Sequence, residues 1–452
     1  MITDLRLALL LTRGSDRREW WRVTLTALGA ALATGFALAA VAVASLEGQY
    51  HLSVANGLLN QPGERSGIVL TLLLLLVPVL GFLGQCARIG AVHRDRRLAG
   101  LRLAGASPAQ VRRIAALEAG LACLAGSAVA TVFAALLLLR EWHEPPAVVW
   151  LGFAAIAVTV PLLGALVSAF ALRRVVASPL GWVRRVRPSG GRGPVLVFLV
   201  ATLMILLTGL VMGLVMAPRG FHGPGTAPLL VFTVVIITGA GAVWLTGVTA
   251  RLTGRLLAAR TGNPATLIAA ERLRDDPWAA ARTHAAVLLV TIVGTAFMGI
   301  RQVLLDELNG RAPEARPESM SFYTTGFNLT GAAIVVALTI TLSALAVGTA
   351  ESLATRRRGL AAQTAAGVPG NVLGRALLLE TALPLAPAVA LAGVGGMVIS
   401  TGYAFLVEGG GHAVPLVPLL VPLIVYAACL LAAATSLPLL RRSVHPAELR
   451  YV

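Results

Sequence analysis

Two glutamates, Glu118 and Glu380, stand at the mouths of long apolar runs, each a few residues beyond an arginine, Arg113 and Arg375. A carboxylate held in mid-membrane could relay protons or ions, because ionisable groups kept at that depth mark coupled transport. These two lie only one to two helical turns from arginines, so they can reach the interface or pair with a cation. They read as interfacial acidic groups, and no mid-run carboxylate exists. A phosphate-binding loop needs a lysine to reach the phosphates, and this chain has none: all 37 basic residues are arginine. Cys86, Cys123 and Cys429 fall in or beside apolar runs with neither disulfide nor metal spacing, and read as small buried hydrophobes. The seven histidines form no ligand pattern. The residues therefore point to no catalytic constellation, no metal and no cofactor on this chain. Its energy source is expected on another polypeptide.

The stretch "LRLAGASPAQVRRIAALEAG", residues 101–120, breaks the pattern of its surroundings. Leu98, Leu101, Leu103 and Ala104 predict a short helix with one apolar side. Gly105 can take the left-handed conformation that closes a helix. Ser107 is a candidate N-cap and Pro108 a first helical residue, starting a second helix that runs through Arg112 and Arg113 into the next apolar run.

Such a piece must be held by its neighbours, and those are hydrophobic. The chain is 57% hydrophobic and 13% charged, with a mean hydropathy of +0.82, against about a quarter charged in soluble domains. Apolar runs of spanning length occur near 22–46, 67–91, 115–139, 146–171, 195–216, 227–250, 284–305, 329–350, 376–404 and 414–439. The first could be taken for a signal peptide, but its apolar stretch exceeds the 7–15 residues of that class, so it reads as a span. Alternate connections carry 31 and 6 arginines, which places both termini and the arginine-rich loops in the cytoplasm. The net charge of +17 is thereby a topology signal and implies no nucleic acid. Arginine-only usage with abundant Ala, Gly, Leu and Val suggests a high-GC bacterial source.

The chain also repeats itself. At an offset of 262, Arg96, Leu98 and Ala99 meet Arg358, Leu360 and Ala361; Ala104 and Gly105 meet Ala366 and Gly367; Arg113 meets Arg375 and Glu118 meets Glu380. Upstream, at 260, Asp16 and Arg22 meet Asp276 and Arg282. The expected architecture is an all-α polytopic membrane protein of about ten transmembrane helices. Two parallel four-helix halves, 1–172 and 261–452, are joined by a two-helix insert, 173–260, and related by an axis along the membrane normal.

The stretch "RDRRLAGLRLAGASPAQVRRIAALEAGLACLAGSAVA" resembles the FtsX-like permease family, the membrane subunits of MacB-, LolE- and BceB-type ABC systems. The second copy, "TRRRGLAAQTAAGVPGNVLGRALLLE", is degenerate at Thr364 and Val368, and "HPAELRYV" resembles the usual ending of such permeases. The resemblance implies that the loop between the second and third spans docks on a separate, dimeric ATPase subunit that binds ATP and magnesium. Its coupling residues would be Arg97, Leu98, Leu101, Ala104, Gly105, Ala106, Ser107, Arg112 and Arg113, with Arg358, Leu360, Ala366, Gly367 and Arg375 in the second copy. Ten spans resemble the bacitracin-exporter type, but the external connections at 47–66 and 306–328 are too short to fold the large domain found there. The expected function is a cell-membrane permease subunit of an ABC exporter, itself no enzyme, moving an amphipathic, lipidic or peptide-like molecule among membrane lipids. The alternative is a signalling permease that gates a histidine kinase or a cell-wall hydrolase. A secondary transporter is disfavoured by the missing mid-span carboxylates.

Overall fold

The computed structural model describes residues 17–46, 57–60, 62–86, 100–101, 103–142, 144–171, 226–310, 320–408 and 416–443. Among the described residues every regular element is helical. The long helices are α1 (Arg17–Ala44), α2 (Pro62–Cys86), α3 (Pro108–Glu141), α4 (Ala147–Ala171), α5 (Thr226–Arg260), α7 (Pro277–Gly310), α8 (Met320–Thr355) and α10 (Gly370–Glu408). Shorter ones are α6 (Pro264–Asp275), α9 (Arg357–Ala365), α11 (Leu420–Ala434), entered through a 3-10 turn, and α12 (Leu437–Ser443).

Seven helical stretches are long and apolar enough to cross a membrane, and they mark the chain as a membrane protein. They coincide with the first, third, fourth and seventh to tenth apolar runs. The second run falls on α2, whose apolar part is the shorter Gly67–Leu83, and the sixth on α5. The fifth, 195–216, lies outside the described residues. The connection expected at 306–328 is mostly helix, because α7 runs to Gly310 and α8 starts at Met320. Thirty-six residues of α8 make a rod of about 54 Å, far longer than the ~30 Å hydrocarbon layer.

The chain forms two compact units. In the first, α1, α3 and α4 pack together around Leu38, Val149 and Phe153. Helix α3 lies directly on α1: a methyl group on Gly126 would overlap the Ala27 carbonyl oxygen. Small residues let helices approach this closely where the hydrophobic effect offers no drive between them. Pro161 interrupts α4 and removes the donor that would bond the Ala157 carbonyl four residues back. The hydroxyl of Ser127 on α3, fully buried, donates to that carbonyl at 3.3 Å. The other faces of α3 and α4 expose Val129, Phe133, Val148 and Leu151, each more than 60% accessible. Such a surface suits lipid, where only backbone hydrogen bonding must be satisfied internally.

In the second unit, α10 packs on α7, α5 and α6. Its core is Leu288, Ile292, Leu345, Leu385, Val389, Val425 and their neighbours. The α7–α10 approach is again backbone-close: a methyl on Gly396 would sit 2.8 Å from the Ile292 carbonyl oxygen. Both close pairs couple a helix to one that starts just after a glycine turn.

Candidate functional site: two glycine turns and their arginine–glutamate anchors

The turn ahead of α3 is built from backbone hydrogen bonds. Ala104 N–H donates to the Gly100 carbonyl at 2.9 Å and Ala106 N–H to the Leu101 carbonyl at 3.0 Å. The second is the six-to-one bond of a Schellman closure, which needs a left-handed residue between its ends. Gly105 supplies it with φ +94°. The accompanying contact is present too, with Leu101 and Ala106 packed against buried Val111 and Ala115. Ser107 then caps α3, its hydroxyl accepting from the Gln110 N–H at 3.2 Å, with Pro108 in the first turn.

The turn ahead of α10 is the same object 262 residues later. Ala366 N–H donates to the Ala362 carbonyl at 2.9 Å, Val368 N–H to the Gln363 carbonyl at 3.0 Å, and Gly367 has φ +91°. Burial also matches position by position: each residue from 109 to 117 has the same exposure class as its counterpart from 371 to 379. Arg113 and Arg375 are both exposed, and Ala104, Gly105, Ala366 and Gly367 form bare turns. No atom lies within 4 Å of where a side chain on either glycine would begin.

The expected single apolar side does not hold. Leu101 is half-buried in the turn, whereas Leu103 is 72% exposed. Two residues apart on a helix are about 200° apart, so they cannot share a face. Leu360 also serves otherwise than as a docking surface: it is 3% exposed in a cluster with Leu353, Leu373, Leu377 and Leu440 that holds α9 to α8, α10 and α12. Arg112 is half-buried and Ser107 exposed. The side chain of Arg358 and all of Arg97 and Leu98 lie outside the described residues.

Both glutamates are anchored by arginine. Glu118, 3% exposed, pairs with Arg22 of α1, 6% exposed. A buried pair of this kind is stable only while both charges are present, since removing one leaves the other uncompensated. Glu380 takes two partners, one on each carboxylate oxygen: Arg356 at 2.7 Å and Arg272 of α6 at 3.0 Å. Its side chain is 21% exposed. At the two offsets Glu118 matches Glu380 and Arg22 matches Arg282, but spacing alone assigns neither glutamate its arginine. Arg272 has an arginine counterpart at neither offset, whereas Arg356 aligns with Arg94 at 262. Arg356 also stands at the head of the "RRR" run beside the second turn. Among the described residues no group of three or more His, Cys, Asp or Glu is placed to hold a metal. The three cysteines are buried free thiols.

No protein-family model matches the chain, and no curated protein matches it significantly.

Proposed function

We propose that this chain is the membrane subunit of an ABC-type system, and that its two glycine turns are the surfaces on which a separate ATPase dimer docks. The observation that carries this reading is the duplication of one closed, exposed turn, with the same positive-φ glycine, the same pair of backbone bonds and the same burial pattern, at a constant offset of 262. A loop that only sets topology needs arginines. It needs no closed turn with an exposed apolar tip, and no second copy of it. Two equivalent surfaces suit a partner with two equivalent faces. The parallel α1–α3 and α7–α10 pairs, each with backbone-close glycine contacts, support the reading of two four-helix halves in a ten-span chain with both termini cytoplasmic. The proposed cargo class is amphipathic or lipidic, moved outward or out of the outer leaflet.

The experiment is co-purification of an ABC ATPase with tagged full-length chain from its native membrane. Leu103, the large exposed apolar side chain at the first turn, should be an anchor. Leu103→Asp is expected to insert normally and lose the ATPase, and purified chain alone should hydrolyse ATP only at background. Equal recovery of ATPase by Leu103→Asp would overturn the docking assignment.

A further inference from the structure

We infer that Glu380 is a two-armed clamp that binds the second turn, α6 and the lower part of α10 into one body, which swings on a proline hinge just above it. The inference rests on the reading that the second turn receives force from an ATPase. Three observations carry it. First, one carboxylate bridges two arginines from different elements, Arg356 at the α8–α9 junction and Arg272 near the end of α6. Second, the same elements share an apolar cluster around Leu360, Leu373 and Leu377, with Ile268 of α6 packed against it, so the ion bridge closes a body that is already packed. Third, α10 carries Pro384 and Pro387. Each proline removes the helix's own donor to the carbonyl four residues back, here Glu380 and Leu383. The softest stretch of α10 therefore begins at the clamp residue itself, where helices characteristically bend.

The first half is built otherwise. Its turn opens onto α3, whose only proline is in its first turn, and Glu118 is locked to α1 in a buried pair. A push on the first turn would move α3 with α1 as a rod. A push on the second would rotate α6, α9 and the start of α10 together against a fixed upper α10, whose Leu385, Ala388 and Val389 are held in the core. The two halves are thus predicted to be mechanically unequal although their turns match.

Hydrogen exchange on the full chain in lipid nanodiscs tests the clamp. Glu380→Gln should speed exchange in both 264–275 and 357–366, by about fivefold, the scale of a partly buried ion bridge. Arg272→Gln should loosen only 264–275, and Arg356→Gln only 357–366. The exchanged pair Arg356→Glu with Glu380→Arg should restore 357–366 and not 264–275. Loss of protection in one segment only for Glu380→Gln, or in both for a single arginine variant, would overturn the clamp. The hinge is read by spin labels at Asn371 and Val398, either side of the prolines, in a chain whose three cysteines are alanine. Pro384→Ala with Pro387→Ala should at least halve the width of the distance distribution, and an unchanged width removes the hinge. In the ATPase complex, ATP with vanadate should alter exchange at 264–275 in wild type and not in Arg272→Gln, with equal ATPase recovery in both. An unaltered 264–275 response in Arg272→Gln would deny the transmission. The first two measurements need no ATPase, so failure of the docking assignment leaves them interpretable.

Discussion

Substitutions at Gly105 separate a backbone requirement from a packing one. Its φ of +94° is a conformation that side chains resist, yet no atom lies within 4 Å of a new Cβ. Alanine there meets no clash, and its cost is conformational, about 1–2 kcal/mol. Since 1.4 kcal/mol is tenfold in an equilibrium constant, affinity for the ATPase subunit should fall roughly 5- to 30-fold if the docked form needs the closed turn. Asparagine, which tolerates the left-handed region better than other side chains, should lose less than alanine. Leucine should lose more, because it adds bulk on the proposed docking surface. Gly310→Ala, with open space and an ordinary φ, is the control and should leave affinity unchanged. The assay is titration of purified ATPase subunit onto nanodisc-held chain, with Kd for each variant. The order leucine, alanine, asparagine, wild type is the expectation. A Gly105→Ala affinity within twofold of wild type would refute the backbone argument, and asparagine as damaging as leucine would refute the ranking.

Gly126→Leu should do the reverse of Gly105→Ala, lowering the melting temperature in detergent by overpacking α3 against the Ala27 backbone, a cost of about 1–3 kcal/mol or more. Gly35→Leu on α1, with nothing within 4 Å, should leave the melt in place; equal melts for both would contradict the close approach. Ser127→Ala should cost about 1 kcal/mol by stranding the Ala157 carbonyl, and Pro161→Ala should cancel most of that loss by restoring a helical N–H to it; additive losses in the double-mutant cycle would count against the bond. Reporter fusions at Val452 and Gly310 should read cytoplasm and exterior respectively, and agreement between them would defeat the ten-span topology.

How much of this was legible in the sequence depended on whether a feature is local. Helices follow from runs of apolar residues of spanning length, and seven such stretches lie where those runs fall. The first turn was readable because Gly105, Ser107 and Pro108 each act within a few residues of themselves: a left-handed closure, a cap and a first turn. Its counterpart was readable only through alignment with the first, since Pro369 stands where Ser107 does and brings no capping hydroxyl. Leu103 leaves the side on which Leu101 sits because residues two apart on a helix lie about 200° apart, which nearness along the chain does not convey.

The anchors show why the rest stayed hidden. An ion pair between residues 96 apart, as Arg22 and Glu118 are, or 108 apart, as Arg272 and Glu380 are, leaves no spacing signature, and with 37 arginines any glutamate near the interface has many candidate partners. What the repeat did transmit was the glutamate itself, because both copies need a charge at the same height on the helix that follows the turn. What it could not transmit is the difference between the copies. Arg272 lies on a helix whose sequence has no arginine match in the first half, and Pro384 and Pro387 occupy positions that align with Ala122 and Ala125 of α3. The divergence of the second copy therefore includes a residue of the ion bridge and two prolines inside a helix. The second copy of the turn is thus marked as much by the contacts its new residues make as by the residues it has lost.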